Sequence, residues 1–319
     1  MSAAPVIEKI PIAISSCLLG QEVRYDGGHK HNGYITQSLG RYFEYLPFCP
    51  EVAIGLGIPR PAIQLVQVEN TIRVRSAKDP GLDVTEQLQD YARSVVPALA
   101  GVCGYIFKRA SPSCGMERVK VYKDGNLYGN DQGVYAATIM QALPNLPAEE
   151  EGRLMDPVLR ENFIERVFVY HRWQQLLRDG LSAQALVDFH TIHKFSLLAH
   201  DEISYRELGK LVAVAGSREL EQLAAEYLGR MMRALATPAT RKTHTNVLMH
   251  IMGYLKTKLT AGDKQELLEI LDKYRLGQVP LIVPITLFRH FLRRFPDEYI
   301  QQQVYLSPHP DELMLRNSL

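Results

Sequence analysis

Cysteine is scarce in this chain, with four in 319 residues, and none of the four forms the close Cys-x-x-Cys pair that marks many structural zinc sites. Scarcity and wide, irregular spacing argue against a disulfide framework and for reduced thiols that bind metal or do chemistry. Long apolar runs are missing too. No window approaches eighteen uninterrupted apolar residues, which excludes a membrane-spanning helix. Met1 to Lys9 lacks the basic stretch and apolar run of a secretory signal, so the expected location is the cytoplasm, with no membrane partner. Net charge is nearly absent, at +1, and by itself says nothing about partners. Its distribution says more. From Tyr227 to Ala261 there is no aspartate or glutamate, while Arg230, Arg233, Arg241, Lys242, Lys256 and Lys258 fall inside. A long stretch of one sign is either a solvated face or the footprint of a phosphate-binding surface.

What is there is a chain 46% hydrophobic, enough to bury a full core and long enough for two domains. The first half alternates strand-like runs (Ile10 to Ser15, Val52 to Leu56, Gln64 to Val68, Gly101 to Phe107) with a helical stretch, Thr85 to Leu99, opened by the cap-like Thr85. Alternation of this kind predicts an α/β domain with a Rossmann-like layered sheet, whose ligand-binding loops lie beyond the carboxyl ends of its strands. Two prolines in Leu143 to Ala148, followed by Glu149 to Glu151, predict a linker. Beyond it the segments Phe163 to Leu177, Ser217 to Leu235, His244 to Leu259 and Asp263 to Tyr274 are helical, and Ser204 to Glu207 has capping-box spacing. The expected architecture is an α/β domain over residues 1–148 and an all-α helical bundle over 156–319.

Three cysteines, Cys17, Cys49 and Cys114, each fall in a loop-like sequence just after an apolar run, whereas Cys103 sits in a strand-like setting. The three are 32 and 65 positions apart, so only the tertiary fold can bring them together. Soft thiolates suit zinc, copper(I) or an iron–sulfur centre, and the alternative is a set of unrelated thiols. Three cysteines on a four-iron cluster would leave one iron open to a substrate atom. Glu51, two residues past Cys49, is a candidate acid or base. Ser111 and Ser113 can donate hydrogen bonds, although Ser-Pro-Ser-Cys-Gly also makes a good turn. Lys108 and Arg109 put positive charge beside thiolates. Arg24-Tyr-Asp26-Gly-Gly carries a turn signal and room for close backbone approach.

Taken together, Ser-Ser-Cys17-Leu-Leu-Gly with Val-Arg24-Tyr-Asp26-Gly-Gly, Cys49-Pro-Glu51-Val with Gly-Leu-Gly-Ile-Pro-Arg-Pro, and Ser111-Pro-Ser-Cys114-Gly resemble the thiouracil desulfidase family over about residues 8–142. The resemblance implies a 4Fe-4S cluster held by Cys17, Cys49 and Cys114. It also implies non-redox replacement of the sulfur of a thiolated pyrimidine by water, with release of sulfide. Glu51, Ser111 and Ser113 are then the catalytic candidates and Arg24, Asp26 and Lys108 the substrate-binding ones. Cys103 is weighed as a further polar catalytic group and, alternatively, as a buried structural thiol. From about Asp156, His190-Thr-Ile-His193-Lys-Phe-Ser-Leu-Leu-Ala-His200, Asn246 to Tyr254, Pro280 to Leu287 and Tyr305 to Pro310 resemble a helical domain of formerly unknown function often fused to these enzymes. In the fused form the family is similar to enzymes that remove sulfur from 4-thiouridine in transfer RNA, which would give the six basic residues above an RNA backbone to hold. Free thiouracil as substrate, and an iron–sulfur redox sensor that binds nucleic acid, are the alternatives. His190, His193 and His200 lack an acidic or cysteine partner at firm spacing, which favours helix packing or RNA contact over a metal site. The oligomeric state is left open.

Overall fold

An apolar hexapeptide, Ile-Pro-Ile-Ala-Ile-Ser, is the pattern of a strand covered on both faces. In the computed structural model, which describes residues 8–317, it forms β1 (Ile10–Ser15), buried along almost its whole length. The amino-terminal stretch considered above as a leader lies outside the described residues as far as Ile7. Chain contacts divide the molecule into two units, ending at and beginning after Met155.

In the first unit β1 is flanked by β2 (Phe43–Phe48) and β5 (Tyr105–Phe107), with β8 (Ala148–Glu150) outside β5, so that one sheet runs β2-β1-β5-β8. All three pairings are parallel. The acidic stretch expected to be linker is thus partly a strand, with Glu149 and Glu150 buried. Their charges are held rather than solvated: Arg153 Nε donates to Glu149 at 2.6 Å and the Met116 amide to Glu150 at 2.8 Å. The second sheet, of order β4-β3-β6-β7, was not anticipated. It comprises β3 (Ile63–Val68), β4 (Thr71–Ser76), β6 (Val119–Lys123) and β7 (Asn126–Asp131). Its β6–β7 hairpin turns on Asp124-Gly125, both at positive φ, as a two-residue turn that follows the strand twist demands.

Two sequence expectations fail here for local reasons. Val52 to Leu56 is not a strand: Pro50 opens a short helix, α1 (Pro50–Ala53), and Gly55 and Gly57 at φ 85° and 74° turn the chain after it. Thr85 does not cap its helix α2 (Thr85–Val95); it is the first helical residue, and its hydroxyl instead accepts from the Val74 amide at 2.8 Å, tying the helix to β4. A further helix, α3 (Val134–Ala142), completes the unit.

The second unit is all helix: α4 (Pro157–Asp179), α5 (Ala183–His200), α6 (Glu202–Val212), α7 (Leu220–Ala236), α8 (Arg241–Leu255), α9 (Ala261–Arg275), α10 (Ile282–Arg294) and the short α11 (Glu298–Gln301). The helix start expected at Ser204 lies earlier, with a simple side-chain cap. Asp201 caps α6, accepting from the amides of Ile203 and Ser204 at 2.9 and 3.2 Å. Two apolar clusters form the core, one around Trp173, Phe189 and Tyr227, the other around Tyr274, Phe288 and Tyr305. Among the described residues no helix is long and apolar enough to cross a membrane.

Candidate active site

The chain runs from β1 to β2 on one side and later returns to β5 on the other, so the strand order reverses at the carboxyl end of β1. Open parallel sheets bind ligands in the crevice made by such a reversal. A cavity of about 270 Å³ lies there. Each of the three flanking strands delivers one cysteine to it. Cys17 follows β1 in a tight turn, Cys49 follows β2 and immediately precedes α1, and Cys114 lies in the loop after β5. All three line the cavity, together with Arg24, Tyr25, Phe48, Glu51, Arg60, Lys108 and Ser111.

The thiols are free and sense one another's charge. Burial pushes the Cys17 thiol up to about 11; Lys108 and Arg24 oppose the rise while Cys49 adds to it. Burial likewise raises Cys49 and lifts Cys114 well above the usual thiol range, where Glu51 and Cys49 push the same way and the Ser15 hydroxyl pulls back. Left to themselves, these are neutral thiols; a bound cation would ionise them. Among the described residues no group of three or more His, Cys, Asp or Glu could hold a metal ion.

Glu51 joins two of the cysteine loops. Its Oε1 accepts from Ser113 Oγ at 2.9 Å and from Ser111 Oγ at 3.5 Å, while Oε2 accepts from Arg60 Nε and Nη2 at 3.0 and 2.7 Å. Ser111 Oγ in turn accepts from the amides of Ser113 and Cys114 at 3.2 and 3.1 Å. Arg60 was not singled out from the sequence as a site residue. It is only 8% exposed, and it also donates to Gly57 O and Val23 O at 3.0 Å each, so it fastens Glu51 to the loop that carries Arg24. A lone arginine between two prolines was the available signal, since such rigid flanks fix where a side chain points. Glu151 was also missed: its carboxylate pairs with Lys108 and accepts from the Arg109 amide at 2.6 Å.

Three predicted residues of the first unit do not line the cavity: Asp26, Cys103 and Ser113, the last fully buried and linked to the site through its hydrogen bond to Glu51. Asp26 is exposed and serves its own turn, accepting from the Gly28 amide at 3.1 Å and lying 3.4 Å from Arg24 Nε. Cys103 is buried, but before β5 rather than after it: its amide donates to Pro11 O at 2.8 Å, at the amino-terminal end of β1. It does not line the cavity, and that position corrects its candidacy as a catalytic group.

The Cys114 loop is held from behind by the start of α3. Val134 and Ala136 amides donate to Pro112 O and Ser113 O at 3.1 and 3.0 Å. That approach requires glycine at position 133, where a Cβ would lie 2.6 Å from Ser113 O and 2.8 Å from Ser111 O. Gly133→Ala is therefore expected to lower stability by about 1–3 kcal/mol, the usual range for overpacking, and to weaken retention of any metal at Cys114. Thermal unfolding and iron content of the reconstituted variant check both.

A family model described as 2-thiouracil desulfurase matches residues 12–151, the stretch that carries every cavity residue named above. The chain belongs to that family. A second model, described as a protein of unknown function (DUF1722), matches residues 194–310. The desulfurase-family chain is similar to the uncharacterised protein YbgA of Escherichia coli, 34% identical over 48% of this chain and 91% of that protein. It is also similar to the uncharacterised protein YbbK of Bacillus subtilis, 28% identical over 44% of this chain and 96% of the relative. Among solved structures it is similar to the [4Fe-4S]-dependent thiouracil desulfidase TudS, at 32% identity and a TM-score of 0.36 over 46% of this chain and 95% of the other. The desulfurase-family chain is thus an enzyme by its first unit.

The six basic residues predicted for RNA all lie in the second unit, on α7, α8 and the turn after α8, and they differ in freedom. Arg230 pairs with Glu226 at 2.7 Å and lies 3.7 Å from Glu207. Arg241 donates to Tyr274 O and Val279 O at 3.3 Å each, and Lys258 to Pro296 O at 2.8 Å. Arg233, Lys242 and Lys256 are exposed. The acid-free window in sequence is therefore not acid-free in space, because Glu226 stands just before it and Glu207 on α6.

Proposed function

We propose that Cys17, Cys49 and Cys114 hold a 4Fe-4S cluster and that the chain replaces the thiocarbonyl sulfur of a thiolated uracil by oxygen, acting on 4-thiouridine in transfer RNA. The observation that carries the reading is the convergence of three cysteine loops and one carboxylate on a single cavity. Three thiols that line one space offer the soft ligand set that an iron–sulfur centre takes. When bound, the cluster supplies an iron without a protein ligand, a soft Lewis acid for the thiocarbonyl sulfur.

The chain's own groups do the rest. Lys108 and Arg24 favour the ionised form of Cys17. Tyr25 and Phe48 give the cavity aromatic wall for a planar ring. Glu51, held by Arg60 and the two serines, takes a proton from the attacking water, and Ser113 fixes the orientation of its Oε1. Water adds at the ring carbon, and the carbon–sulfur bond breaks with sulfur leaving as sulfide; no electrons change hands.

A polynucleotide substrate is favoured over a free base by a second cavity of about 670 Å³ beside the first. The two share Ala62, Ile63, Arg109, Ala110 and Pro112, and the second adds the cations Arg118 and Lys120 beside Glu117 and Glu150, with Arg153 paired to Glu117 and Glu149. A base alone needs no such annex; a ribose phosphate attached to it does. The deciding experiment is anaerobic. Protein reconstituted with iron and sulfide is given bulk transfer RNA, or free 2- and 4-thiouracil, and uridine or uracil formation is followed with sulfide release. Conversion of 4-thiouridine in RNA supports the reading; turnover of the free bases alone would move the substrate to the free pyrimidine, and no sulfide from either would favour a sensor. Glu51→Gln is expected to keep its iron and lose turnover by about 10²-fold or more, the lower range for a general base. Full activity in that variant removes Glu51 from the mechanism.

A further inference from the structure

A cavity of about 300 Å³ opens in the second unit between α10 and the chain's last described turns. Its wall includes His309 and Arg316, only 7% and 4% exposed, and each has a polar atom left unsatisfied. Arg316 Nε lies 3.4 Å from Glu161 Oε1 and Nη1 donates to Tyr305 O at 2.6 Å, but Nη2 has no partner. His309 Nδ1 lies 3.2 Å from Pro310 O, while Nε2 makes no hydrogen bond and is 3.9 Å from Glu161 Oε1. Leaving Arg316 Nη2 buried without a partner costs free energy that a ligand can recover.

A second cation, Arg293, stands at the exposed rim and has no hydrogen bond or ion pair among the described residues. Arg289 lies in the same wall but is already committed, to Leu306 O, Ser307 Oγ and both oxygens of Asp311. Asp311 is the acid in the lining and opposes an anion.

We infer that this cavity binds a phosphate group through Arg316 and Arg293. Guanidinium groups match phosphate oxygens in charge and geometry. Arg316 Nη2 is a buried donor without an acceptor, and a phosphate presents several acceptor oxygens. The site is separate from the cysteine cavity and needs no metal, so its test stands apart from the desulfuration reading.

The test is calorimetry on the full chain at fixed ionic strength with inorganic phosphate, a nucleoside 5′-monophosphate, and an RNA oligonucleotide without terminal phosphate. Phosphate or the monoester is expected to bind. Arg293→Ala, an exposed position whose loss leaves the fold intact, is expected to weaken that binding roughly tenfold, as removal of one charge-assisted contact does. Asp311→Asn is expected to tighten it severalfold by removing a like charge. Binding of monoester but not of inorganic phosphate assigns the site to an esterified or terminal phosphate; binding of all three assigns it to any phosphate, including RNA backbone. No heat from phosphate or monoester, or binding that Arg293→Ala leaves unchanged, overturns the inference.

Discussion

Replacing Cys114 by alanine is expected to leave a folded protein that has lost its iron and, with it, at least about a hundredfold in turnover, since partners merely in the outer shell of a metal already command about 10–100-fold. The loop is fixed without the thiol. Its backbone is bonded to the start of α3 through Pro112 and Ser113, and the Gly115 amide donates to Ser111 O at 2.8 Å. The side chain is small, so its removal costs on the order of 1 kcal/mol in packing. Cys103→Ala is the matched control. It removes an equally buried thiol, 1% exposed against 6% for Cys114, from the opposite end of β5. Iron and sulfide assays with a parallel melting curve distinguish the two. Iron retained in Cys114→Ala, or lost in Cys103→Ala with the fold intact, sinks the assignment of the three ligands.

That contrast shows which part of the site was legible in the sequence. Cys17, Cys49 and Cys114 each follow an apolar run, and a residue just past a parallel strand lands at the ligand-binding edge wherever the strands align. Cys103 precedes its strand, so the same rule places it at the far edge; reading Gly101 to Phe107 as one strand hid this, because only Tyr105–Phe107 pairs. Glu51 was legible by its place beside Cys49. Arg60 and Glu151 were not, because they act through contacts 9 and 43 residues away in sequence, to Glu51 and Lys108. Helical segments in the second half followed their 3.6-residue pattern, whereas their starts moved with caps that tertiary context chose, such as Asp201 in place of Ser204. The second sheet escaped notice because its exposed edge strand β7, with Leu127 and Tyr128 each 61% exposed, has no apolar face to betray it.

The histidines of the second unit, undecided between packing and RNA contact on sequence grounds, predict the other large effect. His190 lies 3.1 Å from the Tyr227 hydroxyl, His193 Nδ1 donates to Phe189 O at 2.7 Å, and His244 lies 2.9 Å from the Tyr305 hydroxyl. Burial is the main cause that lowers their pKa values to about 4, 3 and 3, with Lys194, Arg172 and Arg316 respectively pushing the same way. In the unfolded chain each regains a value near 6.5. A depressed histidine pKa gives stability that is whole above the unfolded value and falls as pH drops below it, because only the unfolded state takes the proton. His200 works the other way. Burial disfavours its charge, but the hydrogen bond and charge of Glu165, 3.3 Å away, prevail and raise its pKa, so its contribution grows as pH falls through the same window. Three against one leaves a net uptake of about two protons on unfolding, and about 2–4 kcal/mol of stability lost between pH 7 and 5.5. The chain has a single tryptophan, Trp173, buried in this unit, so its fluorescence in urea titrations at the two pH values reports the loss directly. His244→Gln should flatten the pH dependence by about one proton. Midpoints that do not move between pH 7 and 5.5 would mean that the three rings are already protonated and paired in the folded state.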